Sequence, residues 1–176
     1  IGDPDLQREL GNGLDFGLRH SSKRLRFEAN GFFYHIDNFV FLAPTGDVED
    51  GLLVAVYEQG TSRFIGTEAS VHAGLHRNIS LNLGLDYVNA KLTSTDTPLP
   101  RIPPLRGRVG FEFSFGNLIV SPEVVMTHDQ NKLFPTETRT AGYSVFGISG
   151  SYLIPTQHAA HVISFNAFNV GDRLYR

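Results

Sequence analysis

The stretch Arg108-Val109-Gly110-Phe111-Glu112-Phe113-Ser114-Phe115 decides how this chain is read. Apolar residues alternate with polar or small ones, a period of two that gives each side of a strand its own chemistry and cannot make one face of a helix. Ser80-Leu81-Asn82-Leu83-Gly84-Leu85-Asp86-Tyr87 repeats the pattern. Followed in both directions, it predicts eight strands at about 13–20, 24–41, 61–75, 79–91, 105–115, 118–128, 141–154 and 161–168. In a soluble sandwich the apolar faces would pack on one another. In an outer-membrane barrel they would meet lipid, with the polar faces lining a lumen. Alternation alone fits both.

Connections and strand lengths separate the two readings. Short turns at His20-Ser-Ser-Lys23, His76-Arg-Asn78, Gly116-Asn117 and 155–160 alternate with long polar connections at 42–60, 92–104 and 129–140. Outer-membrane barrels have this asymmetry, with short periplasmic turns and long extracellular loops. Several predicted strands also reach the roughly 9–11 residues that a tilted strand needs to cross a bilayer. Phe27, Phe33, Tyr87, Phe111, Phe115, Tyr152 and Phe165 occupy apolar registers, several near strand ends where an interfacial girdle would sit. The run Thr97-Pro-Leu-Pro-Arg-Ile-Pro-Pro104 predicts a rigid, extended descent from a loop. Pro122, inside a predicted strand, predicts a bulge or a misplaced boundary.

Composition removes other classes. The 176 residues include no Cys, so disulfides and thiolate metal sites are excluded. A net charge of -3 supplies no basic field for nucleic acid. No apolar run reaches the ~18 residues of a membrane helix, a test that a barrel escapes because only alternate residues need be apolar. The first residues, Ile1-Gly-Asp-Pro-Asp5, show neither the basic nor the apolar part of a signal peptide, so the chain is expected to be an internal piece of a mature protein.

Enzymatic motifs are missing: the sequence contains no Gly-x-Ser-x-Gly, no Gly-x-x-x-x-Gly-Lys and no His-Glu-x-x-His, and it is read as a non-enzyme without cofactor. His72 and His76 lie four residues apart, about 13 Å on a strand, too far to share an ion. His158 and His161 fall at a turn, but two imidazoles make a poor metal site without a third ligand.

Five further segments come in order: Phe33-Tyr-His-Ile-Asp-Asn-Phe39-Val40, Gly66-Thr-Glu68, Leu99-Pro-Arg-Ile-Pro-Pro104-Leu-Arg106, Thr140-Ala-Gly-Tyr143 and Asn166-Ala-Phe-Asn169-Val-Gly-Asp-Arg-Leu-Tyr175. Their order and spacing resemble the C-terminal barrel of TonB-dependent receptors over nearly the whole chain. The family pattern Asn-Leu-Phe-Asp is replaced here by Asn169-Val-Gly-Asp172, which marks a divergent member. The resemblance implies an all-β, antiparallel transmembrane segment of about eight strands from a 22-stranded barrel. It also implies that residues 1–176 are a partial C-terminal region, with the plug domain and the last strand outside it. A complete eight-stranded outer-membrane barrel with a structural or adhesive role is the alternative.

Barrel geometry would put Glu68, Asp86, Arg108, Glu112 and Glu123 on the lumen wall. The resemblance makes the long connections extracellular, and offers Asp47, Glu49, Asp50, Glu58, Asp96, Arg101, His128, Asp129, Lys132, Glu137 and Arg139 as residues that first meet a ligand. The excess of acid there would steer a cation inward, with His35 and His128 as weak candidate metal ligands. The implied partners are outer-membrane lipid, the plug domain, the TonB complex and a metal chelate such as an iron-siderophore, in a Gram-negative outer membrane.

Overall fold

The computed structural model describes residues 4–175. Ile1, Gly2, Asp3 and Arg176, on which the reading of the chain's two ends rests, lie outside the described residues. Eight strands follow one another: β1 (Leu10–Ser21), β2 (Leu25–Glu49), β3 (Leu52–His76), β4 (Ile79–Leu92), β5 (Arg106–Phe115), β6 (Leu118–Thr127), β7 (Tyr143–Pro155) and β8 (Ala160–Ala167). Each is antiparallel to the next in a single sheet ordered β1 to β8. Among the described residues β1 and β8 do not pair with each other, so the sheet stays open.

The expected connection at 42–60 is not a loop. β2 and β3 each run 25 residues and meet at a two-residue turn, so Asp47, Glu49 and Glu58 lie on strands and Asp50 in the turn. Asp50 (φ 49°) and Gly51 (φ 79°) both take positive φ, the primed hairpin geometry that Asp-Gly favours. Leu52-Leu-Val-Ala-Val-Tyr57 then supplies β-prone side chains for the return strand. The scattered Pro44, Gly46 and acids concealed this, because the pair absorbs them in two register shifts, at Ile36/Phe39 and Pro44/Val48. Since 9–11 residues cross a bilayer, about half of this hairpin projects beyond it.

Pro122 makes neither a bulge nor a boundary. It pairs with Ile148 of β7, while the ladder to β5 lapses between Gly110↔Glu123 and Phe113↔Val120 and resumes in the same register. The missing N–H interrupts the ladder on one side and leaves the side-chain alternation intact.

Pairing carries that alternation across the sheet. Leu81 faces Phe111, Leu83 faces Val109, and Val109 in turn faces Val124, whereas Asp86 faces Arg106 and Gly110 faces Glu123. The apolar side is uncovered: Phe16 is 70% exposed, Phe115 60% and Phe165 51%. Among the described residues no second sheet packs on it, which removes the sandwich and leaves lipid as its solvent. Phe111, Phe113 and Phe115 stack along this outer face, with centroids 6.1 and 6.4 Å apart.

What core there is lies on the opposite, polar-register side, near the long-loop end. Phe41, Ala43, Ala90 and Leu99 are buried, with Phe39, Phe64, Leu92, Ile102 and Phe134 packed around them. Beyond Asp37, β2 outruns β1 and its outer edge meets only short partners. The Glu9 carboxylate accepts the Val40 N–H at 2.6 Å, and the Thr136 hydroxyl donates to the Pro44 carbonyl at 3.0 Å.

Because Phe111 faces outward and Gly110 inward, Phe111→Lys is expected to cost about 2–4 kcal/mol near the bilayer midplane, and Gly110→Lys, beside Glu123, much less. Denaturant midpoints of the two variants in lipid vesicles check this.

Candidate functional site

The inner wall is built in rows that follow the backbone hydrogen bonds from strand to strand. One row runs Asn30, Glu68, Asp86, Arg106, Thr127, Tyr143 across β2 to β7. The next runs Glu28, Ser70, Gly84, Arg108, Val125, Val145. Glu112 opposes Ser80, and Glu123 opposes Gly110 and Gly147. The five residues expected on the lumen wall, Glu68, Asp86, Arg108, Glu112 and Glu123, therefore share one face. Gly84 lets Arg108 lie flat across the neighbouring strand, since a Cβ there would fall 2.3 Å from the Arg108 Nε.

Glu68 and Asp86 stand directly opposite each other, an arrangement that like charges make unfavourable unless a cation or water screens it. Arg106, next in the row, was not singled out from the sequence because it sits at a strand end after the proline run. Its signal was the same parity as Arg108. Glu68, Asp86 and Arg106 line an open recess of ≈ 730 Å³, with Phe32, Pro103, Pro104, Phe168 and the stacked pair Tyr143 and Tyr175 around it. The two tyrosine rings lie 4.4 Å apart at 16°.

Two connections roof this wall. The proline run does not descend as one extended piece. Leu99 bonds back through its N–H to the Ala90 carbonyl at 2.9 Å and is buried, and the chain turns at Pro100-Arg101, with Arg101 at φ 61°. Glu137 joins this connection to the next: its carboxylate accepts the Arg101 N–H at 2.7 Å and the Phe134 N–H at 2.9 Å. Phe134 meets Phe41 edge-on at 6.0 Å, and the Gln130 side-chain amide donates to the Ile102 carbonyl. Leu99 and Phe134, single apolar residues in polar stretches, hold the roof down.

The charged candidates on the roof are largely engaged. Asp96 pairs with Lys91, and Asp129 with both Arg139 and His128. Lys132 reaches the Tyr87 hydroxyl at 2.7 Å, its ammonium 4.9 Å from the ring centroid. Arg101 contributes its backbone rather than its guanidinium. His35 lies 3.5 Å from Asp37, so the two histidines proposed as metal ligands have different carboxylate partners. Among the described residues no three His, Asp or Glu side chains converge on one point.

The Arg139 hydrogen bond, with His128 nearby, holds the Asp129 carboxyl below its ordinary value. A lowered carboxylate pKa stabilises the fold above the unfolded value, and that contribution is lost as pH falls through the folded one. The 128–140 clasp is thus intact at neutral pH and loosens only below about pH 4. A spin label at Thr138→Cys should become mobile on that acid side, and Arg139→Ala should make it mobile at neutral pH. Phe134→Ala should speed amide exchange at Leu99 about tenfold or more, by removing the ring that packs the roof on Phe41.

The fold has counterparts among solved structures. The copper transporter OprC superposes with a TM-score of 0.85 at 22% identity, covering 98% of this chain and 28% of that one. The ferric citrate transporter FecA gives 0.74 at 22% identity, with 94% and 27% covered. BauA, the ferric preacinetobactin receptor of Acinetobacter baumannii, gives 0.71 at 16% identity, with 94% and 26% covered. The chain spans about a quarter of the length of each. No curated protein sequence matches it. The family model described as TonB dependent receptor-like, beta-barrel matches residues 1–170. With its open antiparallel sheet, lipid-facing apolar side and polar inner wall, the chain belongs to the TonB-dependent receptors, the β-barrel proteins of the Gram-negative outer membrane.

Proposed function

We propose that these eight strands are the C-terminal part of a 22-stranded barrel wall, and that the full-length receptor imports a scarce metal chelate of the iron-siderophore kind. A plug domain would fill its lumen, and the TonB complex would energise release. The observation that carries this is the open sheet. Its outer face is apolar from β1 to β8 while, among the described residues, both edge strands lack a partner. Unpaired strand edges are not tolerated in hydrocarbon, which supports a wider barrel over the small structural or adhesive alternative.

Three features support the cargo. The similar structures are named for copper, ferric citrate and ferric preacinetobactin. The charges of the inner wall suit contact with a plug or a solvated ligand, and the recess that Glu68, Asp86 and Arg106 line has the size of a small-molecule site. Engagement of Asp96, Asp129 and Glu137 within the roof confines free acidity mainly to Asp47, Glu49, Asp50 and Glu58 on the hairpin, which weakens repulsion of an anionic chelate.

Calorimetric titration of the full-length receptor with ferric chelates and with zinc tests the reading. Chelate binding that His128→Ala leaves unchanged supports it. Zinc binding lost in that variant would favour capture of a bare ion instead. Heat from neither, together with normal uptake in a deletion strain, would remove the transport function.

A further inference from the structure

The charges at the short-turn end are not evenly spread. The β5–β6 turn is Gly116-Asn117, and the β7–β8 turn carries no charge beyond His158. The β1–β2 turn holds Lys23 and Arg24, and the β3–β4 turn holds Arg77, flanked by His20 and His76. The two basic turns are neighbours, since the Gly74 N–H donates to the Arg24 carbonyl at 2.7 Å. The carboxylate nearest in the inner register, Glu28, is already taken by Arg19 at 2.5 Å. Among the described residues Lys23, Arg24 and Arg77 have no acidic partner, and all three are exposed.

Their depth follows from the outer face. Leu14, Phe16 and Leu18 on β1, Leu25 on β2 and Leu75 on β3 are exposed and apolar right up to these turns. A lipid-facing surface that ends at the turns carrying these cations sets the turns at the depth of the phospholipid headgroups, and short turns lie on the periplasmic side. Basic clusters at that depth recognise anionic headgroups. We propose that Lys23, Arg24 and Arg77 form a binding site for an anionic phospholipid of the inner leaflet, its phosphate between the two turns and its acyl chains along Leu18, Leu25 and Leu75. The site depends on the membrane placement of the barrel and not on what the receptor transports, so it stands or falls apart from the cargo.

The test uses the full-length receptor in mild detergent, titrated with phosphatidylglycerol or phosphatidylethanolamine and examined by native mass spectrometry. Retention of phosphatidylglycerol over phosphatidylethanolamine is expected. Arg77→Gln should weaken it about fivefold, the effect of one basic residue near an anionic surface, and the triple variant Lys23→Gln, Arg24→Gln, Arg77→Gln should abolish the preference. Asn117→Gln, at an uncharged turn, should retain it. Equal retention of both lipids by the unaltered receptor would overturn the proposal. So would a triple variant that keeps its lipid preference but releases the plug to limited proteolysis, because the cations would then face a protein surface.

Discussion

Hydrocarbon offers no partner to a backbone N–H or C=O, and everything else about this sheet is subordinate to that fact. The ladder runs from β1 to β8 without a crossover. Because the side-chain period is two, each link fixes which residues meet lipid and which meet the lumen. Pro122 shows how firm this is. It removes a donor in a central strand, yet Gly110↔Glu123 and Phe113↔Val120 hold the same offset on either side of it. A one-residue slip would have turned Phe111, Phe113 and Phe115 inward and Glu112 outward, a far larger cost than one lost hydrogen bond.

Two environments divide the polypeptide between them. Within the bilayer the outer face needs only bulk and apolarity, and the inner wall tolerates charges in rows such as Glu68, Asp86 and Arg106. Beyond it, the chain builds a small water-type core against the inner side, with Leu99 and Phe134 seated on Phe41 and Glu137 joining two connections through backbone amides. The roof is ordered by the same packing and hydrogen bonding that order a soluble domain.

The membrane part was legible because period two is a local signal. Strands such as β4 and β5 differ from the sequence reading by only a residue at an end, and Glu68, Asp86, Arg108, Glu112 and Glu123 share one face of the sheet. The hairpin above was not legible, because Pro44 and Gly46 imitate a loop while long-range pairing with 53–56 keeps the strand going. Asp50-Gly51 was the available clue. Leu99 and Phe134 were hidden for another reason: their partners are distant in sequence, and a lone apolar residue has no periodicity to reveal it.

The projecting edge of β2 is a hazard of another kind, for it stands outside the cell where extended peptides are common. Val40 and Pro44 share a parity, so a Pro44 N–H, had there been one, would point away from β3 as that of Val40 does. Glu9 occupies the first of these positions, proline empties the second, and Thr136 covers the carbonyl beside it. An incoming strand finds no free donor at those two residues, and the Pro44 acceptor is already taken. The hairpin can thus stand tall at the surface without recruiting neighbouring receptors into a shared, self-propagating sheet.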